Sequence, residues 1–144
     1  MAIKIRPMNT DDSAVVADLC GQLGYPSTRD QILERFANVE RHANGALFVA
    51  EDDGHVIGWI HVAMVALLEA DLYALIEGLV VDETRRSQGV GAALLESAER
   101  WAREDGCRVM RVSSRIQRAR AHAFYERSGY VRIKTQHAFE KRLT

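Results

Sequence analysis

The stretch "VVDETRRSQGVGAALLESAER", Val80–Arg100, passes from apolar strand-like residues through a charged turn with two glycines into a long helix-forming segment. In such an arrangement the backbone N–H groups from about Gln88 to Ala92 lie unpaired at the start of the helix. Because these donors stand at the positive end of the helix dipole, they attract an anion such as a phosphate. Gly89 and Gly91 would let the backbone approach that anion without a Cβ in the way.

The glycine pair also has an ordinary explanation, which is a tight turn that uses glycine only for its dihedral angles. Two familiar phosphate-binding motifs do not fit these letters. A P-loop requires Lys-Ser or Lys-Thr after its last glycine, and neither follows Gly91. A Rossmann fingerprint requires a third glycine or alanine where Leu94 stands, and too little chain follows for a dinucleotide-binding domain.

The rest of the chain alternates between strand and helix patterns, in the order β α α β β β α β α β β. The N-terminal part predicts a short strand over "AIKIRP" and two helices, the second capped by Ser27 or Thr28. Next, "ALFVAEDDGHVIGWIHVAMV" predicts two strands joined by a tight turn at Asp53 and Gly54. At the end, "YVRIKTQHAFEKRL" predicts a closing pair of strands. This order predicts a mixed sheet with helices on both faces.

Composition limits the classes of protein to which the chain belongs. At 144 residues, without a repeat or a linker, it predicts one domain over residues 1–144. A net charge of -1 argues against nucleic acid or an anionic membrane as a partner. Cys20, Cys107 and five histidines show no metal-binding spacing, so we expect no metal site and reduced thiols. Without a signal-peptide pattern or an apolar run of about 18 residues, a cytoplasmic location is expected.

The segment Arg86–Gly91 reads as Arg or Gln, two residues of any type, Gly, any residue, and Gly or Ala. Between a strand and a long helix, this pattern resembles the acetyl-coenzyme A signature of the GNAT superfamily of N-acetyltransferases. The resemblance covers nearly the whole chain, because the order of elements agrees, "IEGLVVDE" resembles the central strand and "AHAFYERSGY" the closing helix. It implies an α/β protein with the GNAT fold, a mixed and mostly antiparallel twisted sheet of about seven strands flanked by about four helices. The chain then resembles the small bacterial single-domain members.

The resemblance implies acetyl-CoA as cosubstrate. In the family, the strand before the glycine turn bulges and splays from its neighbour, and its free backbone groups bind the pantetheine arm. At the matching position here, the Leu79 N–H would polarise the thioester carbonyl, and the pyrophosphate would bind the N–H groups of the turn. The implied cofactor-binding residues are Leu79, Val80, Val81, Arg86, Ser87, Gln88, Gly89, Val90, Gly91 and Ala92.

One position departs from the family pattern. The family frequently carries an Asn seven or eight residues before its tyrosine, in contact with the pantetheine, and these positions are Arg118 and Gln117 here. Either side chain can donate a hydrogen bond instead, and we include Arg118 in the cofactor site. The basic run Arg115, Arg118 and Arg120 would also reach the phosphates, although a solvated helix face explains the same residues.

Two residues are candidates for acid–base catalysis. Tyr125 matches the family's tyrosine near the sulfur of coenzyme A, and a phenol with a pKa near 10 can protonate the leaving thiolate. Its alternative role is packing under the sheet. Glu77 is the only charge in "LYALIEGLVV", and a carboxylate there suits the base that deprotonates the amine. Its alternatives are orientation of the substrate or a place on an exposed face.

The function implied is transfer of acetyl from acetyl-CoA to a primary amine of a small molecule. Direct attack in a ternary complex is expected because the motif region contains no cysteine nucleophile. The alternatives are a protein or peptide N-acetyltransferase and a non-catalytic CoA-binding regulatory module. A finer likeness points to members that act on aminoalkylphosphonates and related small amines.

The amine is expected between the loop near Tyr25 and the strand pair around Trp59 and His61. His61 has a structural role as its alternative. Glu69 and Asp71 supply acidity that would attract a cationic amine, or form a solvated loop. Family members commonly pair as dimers, so a homodimer is an expectation.

Overall fold

The computed structural model describes residues 2–42, 44–115 and 117–144. These residues form the strands β1 (Ile3–Pro7), β2 (Gly45–Asp52), β3 (His55–Leu67), β4 (Ala70–Val81) and β5 (Met110–Val112). They also form the helices α1 (Ser13–Leu23), α2 (Arg29–His42), α3 (Val90–Glu104) and α4 (Ala119–Arg127). The strands lie in the order β1-β2-β3-β4-β5, and every neighbouring pair is antiparallel except β4 and β5. The predicted fold class, a mixed and mostly antiparallel sheet with about four helices, is confirmed.

The number of strands is smaller than the predicted seven. The segment from Tyr130 to Leu143, predicted as a closing pair of strands, pairs with no strand in the described part of the chain. Its residues from Val131 onward are all exposed. Alternation of apolar and polar residues indicates an extended segment with two different faces, but it does not specify the strand beside which that segment lies.

The chain divides into two compact units, Met1–Ser113 and Ser114–Thr144. The first contains the five-stranded sheet with α1, α2 and α3, and the second contains α4 and the segment after it. One domain over residues 1–144 stays a prediction.

In the first unit, helices cover both faces of the sheet, as predicted. Residues of α1 and α2, such as Val16 and Phe36, pack in one core with Val49, and the Trp59 ring lies against that core. The next residue, Gly58, points to the other face, because neighbouring strand residues alternate. There the Leu94 side chain of α3 lies 3.2 Å from the position of a Cβ on Gly58. The helix that begins at the glycine turn is therefore held against the middle of the sheet.

Local turn chemistry agrees with the sequence analysis at two places. The turn between β2 and β3 has φ of 50° at Asp53 and 78° at Gly54, as the tight hairpin turn requires. Thr28 Oγ1 accepts a hydrogen bond from the Gln31 N–H at 3.1 Å, and Gln31 Oε1 accepts one from the Thr28 N–H at 3.0 Å. This reciprocal pair caps α2 and confirms Thr28 as one of the two predicted caps.

Candidate active site

The strand β4 bulges at Glu77. His61 on β3 pairs with Gly78, and Val62 pairs with Ile76, so Glu77 has no opposite residue on β3. A bulge of this kind bends a strand and is common beside active sites. The Glu77 side chain is exposed.

The pairing of β4 with β5 ends before the bulge, where β5 ends at Val112. The parallel pairing covers only Ala74–Ile76 against Met110–Val112. Farther along, the Asp82 N–H donates to the Ile57 carbonyl of β3 at 2.8 Å. Because the N–H groups of a strand alternate between its two edges, those of Leu79 and Val81 point away from β3. In the described residues of the first unit, no strand pairs with that edge.

The glycine turn continues from this open edge into α3. Ser87 has a φ of 66° and Gly89 a φ of 84°, so two residues adopt the left-handed backbone conformation before the helix begins at Val90. The first hydrogen bond into the helix runs from the Ala93 N–H to the Gly89 carbonyl at 3.1 Å. The N–H groups of Val90, Gly91 and Ala92 therefore have no acceptor in the described part of the chain, and no side chain caps them. Free N–H groups at a helix N-terminus favour an anion, and the binding of a phosphate at these residues stays a prediction.

The two arginines of the turn differ in their surroundings. Arg85 forms an ion pair with Asp52 at the end of β2, and its Nε donates to Gln88 Oε1 at 3.2 Å. Arg85 is therefore held in place by its neighbours. Arg86 is exposed and forms no hydrogen bond or ion pair with the residues that the structure describes. Arg86 is thus the side chain of the turn that is free to contact a phosphate.

In the second unit, Tyr125 lies half-buried in α4. Its ring meets Phe124 edge-on at 5.2 Å and Tyr130 at 5.8 Å between ring centroids. Burial raises the pKa of Tyr125 above its usual value, and the charge of Arg118 opposes that shift. A higher pKa keeps the phenol protonated, which is the form that a general acid requires. Gln117 and Arg118, both exposed, directly precede α4.

The residues predicted to contact the amine lie in different surroundings. Tyr25, in the loop between α1 and α2, is 56% exposed. Trp59 packs against the core under α1 and α2, and its indole N–H is buried without a partner in the described chain. His61 is half-buried opposite Gly78 on the neighbouring strand, and burial lowers its pKa. Trp59 and His61 lie opposite Val80 and Gly78, both on the side of the bulge that leads to the glycine turn. Their contact with substrate stays a prediction.

Two residues that hold the glycine turn escaped the sequence analysis. Asp52, which stands just before the turn at Asp53 and Gly54, forms an ion pair with Arg85. Gln22, at the end of α1, accepts a hydrogen bond from the Glu83 N–H at 2.9 Å, and its Nε2 lies 3.5 Å from Asp82 Oδ1. No local pattern indicates contacts between residues so far apart in the chain.

Other features of the described residues lie outside this site. A concave space of about 740 Å³ is lined by residues 99–110 at the C-terminal end of α3, opposite the end that carries the glycines. Among the described residues, no group of three or more His, Cys, Asp or Glu side chains is placed to hold a metal ion. None of the helices in that part of the chain has the length and apolarity that crossing a membrane requires.

Comparison with known proteins agrees with this geometry. The family model described as the acetyltransferase (GNAT) family matches residues 14–130. The chain is 32% identical over 131 residues to aminoglycoside N(6')-acetyltransferase type 1 of Stenotrophomonas maltophilia, covering 88% of this chain and 84% of that protein. It is 33% identical over 133 residues to aminoalkylphosphonate N-acetyltransferase of Salmonella typhimurium, with the same coverage of 88% and 84%.

A solved structure shows the same fold. AAC(6')-Iy in complex with the bisubstrate analogue CoA-S-monomethyl-acetylneamine superposes with a TM-score of 0.87 at 22% identity, over 99% of each chain. The family model covers the strands β2 to β5, the glycine turn and α4. The chain therefore belongs to the acetyltransferase (GNAT) family and is an N-acetyltransferase that uses acetyl-CoA as its cosubstrate.

Proposed function

We propose that this enzyme acetylates a primary amine of a small, cationic molecule by direct attack on acetyl-CoA in a ternary complex. The observation that supports this most strongly is the continuity of the open edge of β4 with the free N–H groups of α3. A molecule with an extended arm and a diphosphate matches both parts at once. In this proposal the pantetheine arm pairs with Leu79 and Val81, and the diphosphate binds at residues 87–92.

The reaction then needs one base, one acid and one donor to the carbonyl oxygen. The amine loses a proton to Glu77, directly or through water, and its nitrogen attacks the thioester carbon. The Leu79 N–H stabilises the negative charge on the oxygen as the C–N bond forms. When the C–S bond breaks, the sulfur takes the electron pair and receives a proton from the Tyr125 hydroxyl. The acetylated nitrogen then loses its surplus proton, which returns Tyr125 to the phenol, and Glu77 releases its proton to solvent. The products are the N-acetylated amine and free coenzyme A.

The charges of β3, β4 and the hairpin between them favour a cationic amine. Residues 55–81, which include β3, β4 and the hairpin between them, contain Glu69, Asp71 and Glu77 but no Lys or Arg. All three carboxylates are exposed. Such a surface attracts a molecule with several ammonium groups and repels one with a phosphonate. Of the two curated relatives, this supports a substrate like that of the aminoglycoside acetyltransferase.

The test is release of free thiol from acetyl-CoA with three kinds of amine: an aminoglycoside, 2-aminoethylphosphonate and a lysine-containing peptide. We expect the highest kcat/KM with the aminoglycoside and a decrease of that value with added salt, because the attraction is electrostatic. Faster turnover of the phosphonate would overturn the cationic class. Faster turnover of the peptide would indicate a protein acetyltransferase instead.

The acid and the base are tested separately from the substrate. Tyr125→Phe keeps the ring contacts but removes the hydroxyl, so we expect kcat to fall by about 10²-fold or more. The decline of the rate at high pH, where the phenol ionises, should also disappear in this variant. Glu77→Gln should lower kcat most at pH values where the amine is protonated, because the amine then needs a base before it can attack. Tyr73→Phe, on β4 beneath Arg111, is the control. If Tyr125→Phe behaves like that control, Tyr125 is not the acid.

We also propose that the enzyme forms a homodimer through its C-terminal segment. If this segment is extended, as its sequence predicts, Val131, Ile133, Phe139 and Leu143 share one face, because even numbers of residues separate them. They are 82%, 65%, 95% and 84% exposed. A second copy would cover this apolar face. Light scattering after size exclusion should show a dimer that Phe139→Ser weakens, and a monomeric wild-type protein at micromolar concentration would refute it.

A further inference from the structure

A side chain from outside the glycine turn holds the turn in place. The Arg85 guanidinium, in the middle of the turn, forms an ion pair with Asp52, the last residue of β2. The two side chains are only 25% and 21% exposed. Because both are largely withdrawn from water, salt screens their attraction less than it screens a surface pair.

The same guanidinium also reaches the end of the turn. Its Nε donates to Gln88 Oε1 at 3.2 Å, and Gln88 directly precedes Gly89, the residue that caps α3. One arginine therefore connects β2 to the residue next to the helix N-terminus.

The turn contains a residue that needs such support. Ser87 has a φ of 66°, a conformation that residues with a Cβ adopt at a cost of about 1–2 kcal/mol. Left without outside contacts, a short polar turn of this kind samples other conformations. Donation from the Glu83 N–H to Gln22 Oε1 holds the start of the turn, and the Arg85 contacts hold the part nearer Ser87.

We propose that Asp52 is a positioning residue for acetyl-CoA, since it fixes Arg85 and through it the backbone donors of residues 87–92. Asp52 does not touch the cosubstrate. Its effect is to form the anion site before the diphosphate arrives, so that binding does not have to order the turn. Arg85 also neutralises the Asp52 carboxylate, which would otherwise repel the diphosphate. The inference rests on the proposed place of acetyl-CoA at this turn.

The variants Asp52→Asn, Arg85→Gln and the combination of both test this relationship by calorimetry with coenzyme A. Asp52→Asn should raise the Kd by about five- to twentyfold, because the turn must then be ordered on binding. Arg85→Gln should raise it more, because it leaves the Asp52 charge unpaired. If both residues act through one contact, the double variant binds no more weakly than Arg85→Gln alone. The KM of the amine should stay unchanged in Asp52→Asn.

The neighbouring residue provides a matched control. Glu51 pairs with Arg6 of β1 at 3.1 Å, and its side chain is 23% exposed, similar to that of Asp52. Glu51→Gln therefore removes an ion pair of similar burial from the same strand but leaves the turn alone. We expect comparable losses of thermal stability in Asp52→Asn and Glu51→Gln, with a higher Kd for coenzyme A only in Asp52→Asn.

Two results would overturn the inference. One leaves the proposed function intact, and the other overturns the proposed binding place of acetyl-CoA as well. Equal Kd values for Asp52→Asn and Glu51→Gln would make Asp52 a purely structural residue and leave the proposed function intact. Wild-type affinity for coenzyme A in Gly89→Val would show that the cosubstrate binds elsewhere. That result would contradict both the positioning role of Asp52 and the proposed binding of acetyl-CoA at the glycine turn.

Discussion

Gly78 lies against the indole ring of Trp59, so closely that a Cβ on Gly78 would stand 2.7 Å from Trp59 Cη2. Gly78 follows the bulged residue Glu77 and pairs with His61 on the neighbouring strand. The Trp59 ring also packs against the core under α1 and α2. The position of the bulge, and with it the direction of Glu77, therefore depends on the absence of a side chain at residue 78.

Gly78→Ala should accordingly disturb both stability and catalysis. The added methyl group must displace either the ring or the strand, and overpacking of this kind costs about 1–3 kcal/mol. We expect a lower free energy of unfolding in urea and a lower kcat, with a smaller change in the KM of acetyl-CoA. Adding Trp59→Phe makes room for the methyl group and should recover part of the activity. Wild-type stability in Gly78→Ala alone would contradict this account.

The two glycines of the turn should respond differently to the same substitution. Gly89 has a φ of 84°, so Gly89→Ala places a Cβ in the left-handed region at a cost of about 1–2 kcal/mol. Gly91 lies in the first turn of α3, where alanine favours the helix. We therefore expect a clearly raised KM of acetyl-CoA in Gly89→Ala. Gly91→Ala should change the KM little and raise the melting temperature slightly, and equal effects on KM would show that backbone conformation is not the reason for glycine at residue 89.

Local features of the fold could be predicted because local physics determines them. The turn at Asp53 and Gly54 follows from residues that tolerate positive φ, and the start of α3 follows from a glycine turn before an amphipathic segment. The contact between Asp52 and Arg85 could not be predicted, since it joins residues 33 positions apart and depends on where β2 ends. The same reason explains the missing partner of residues 130–143. An alternating pattern describes the faces of a strand, not its neighbour.

In the candidate site, too, the backbone features could be predicted from the sequence and the side-chain contacts could not. Its backbone part follows from motif and element order: the structure has an unpaired edge of β4 and free N–H groups at the start of α3, while their contact with acetyl-CoA stays a prediction. Its side chains were less predictable. Arg85 and Arg86 are adjacent in sequence, yet one is bound in an ion pair and the other is exposed. Sequence alone does not distinguish them, because the difference arises from β2.

Arg86 should contribute to acetyl-CoA binding through its charge. Arg86→Gln removes an exposed cation next to the proposed diphosphate site, so we expect the KM of acetyl-CoA to rise while kcat is unchanged. The difference from wild type should shrink in about 1 M salt, where the screening length is about 3 Å. Arg100→Gln, in the exposed part of α3 beside Glu96, is the control and should leave the KM unchanged. A salt-independent rise of KM in Arg86→Gln would indicate lost packing instead of lost charge.

His61 should make stability depend on pH. Burial lowers the pKa of His61 below its ordinary value near 6.5, so the unfolded chain binds a proton more readily than the folded one. The folded state therefore loses stability as the pH falls below about 6.5, until His61 is protonated in both states. In urea unfolding between pH 7 and 5, His61→Gln should lose less free energy of unfolding than wild type. His55→Gln, at the exposed start of the same strand, is the control and should follow the wild-type curve. If His61→Gln also follows that curve, protonation of His61 does not oppose folding.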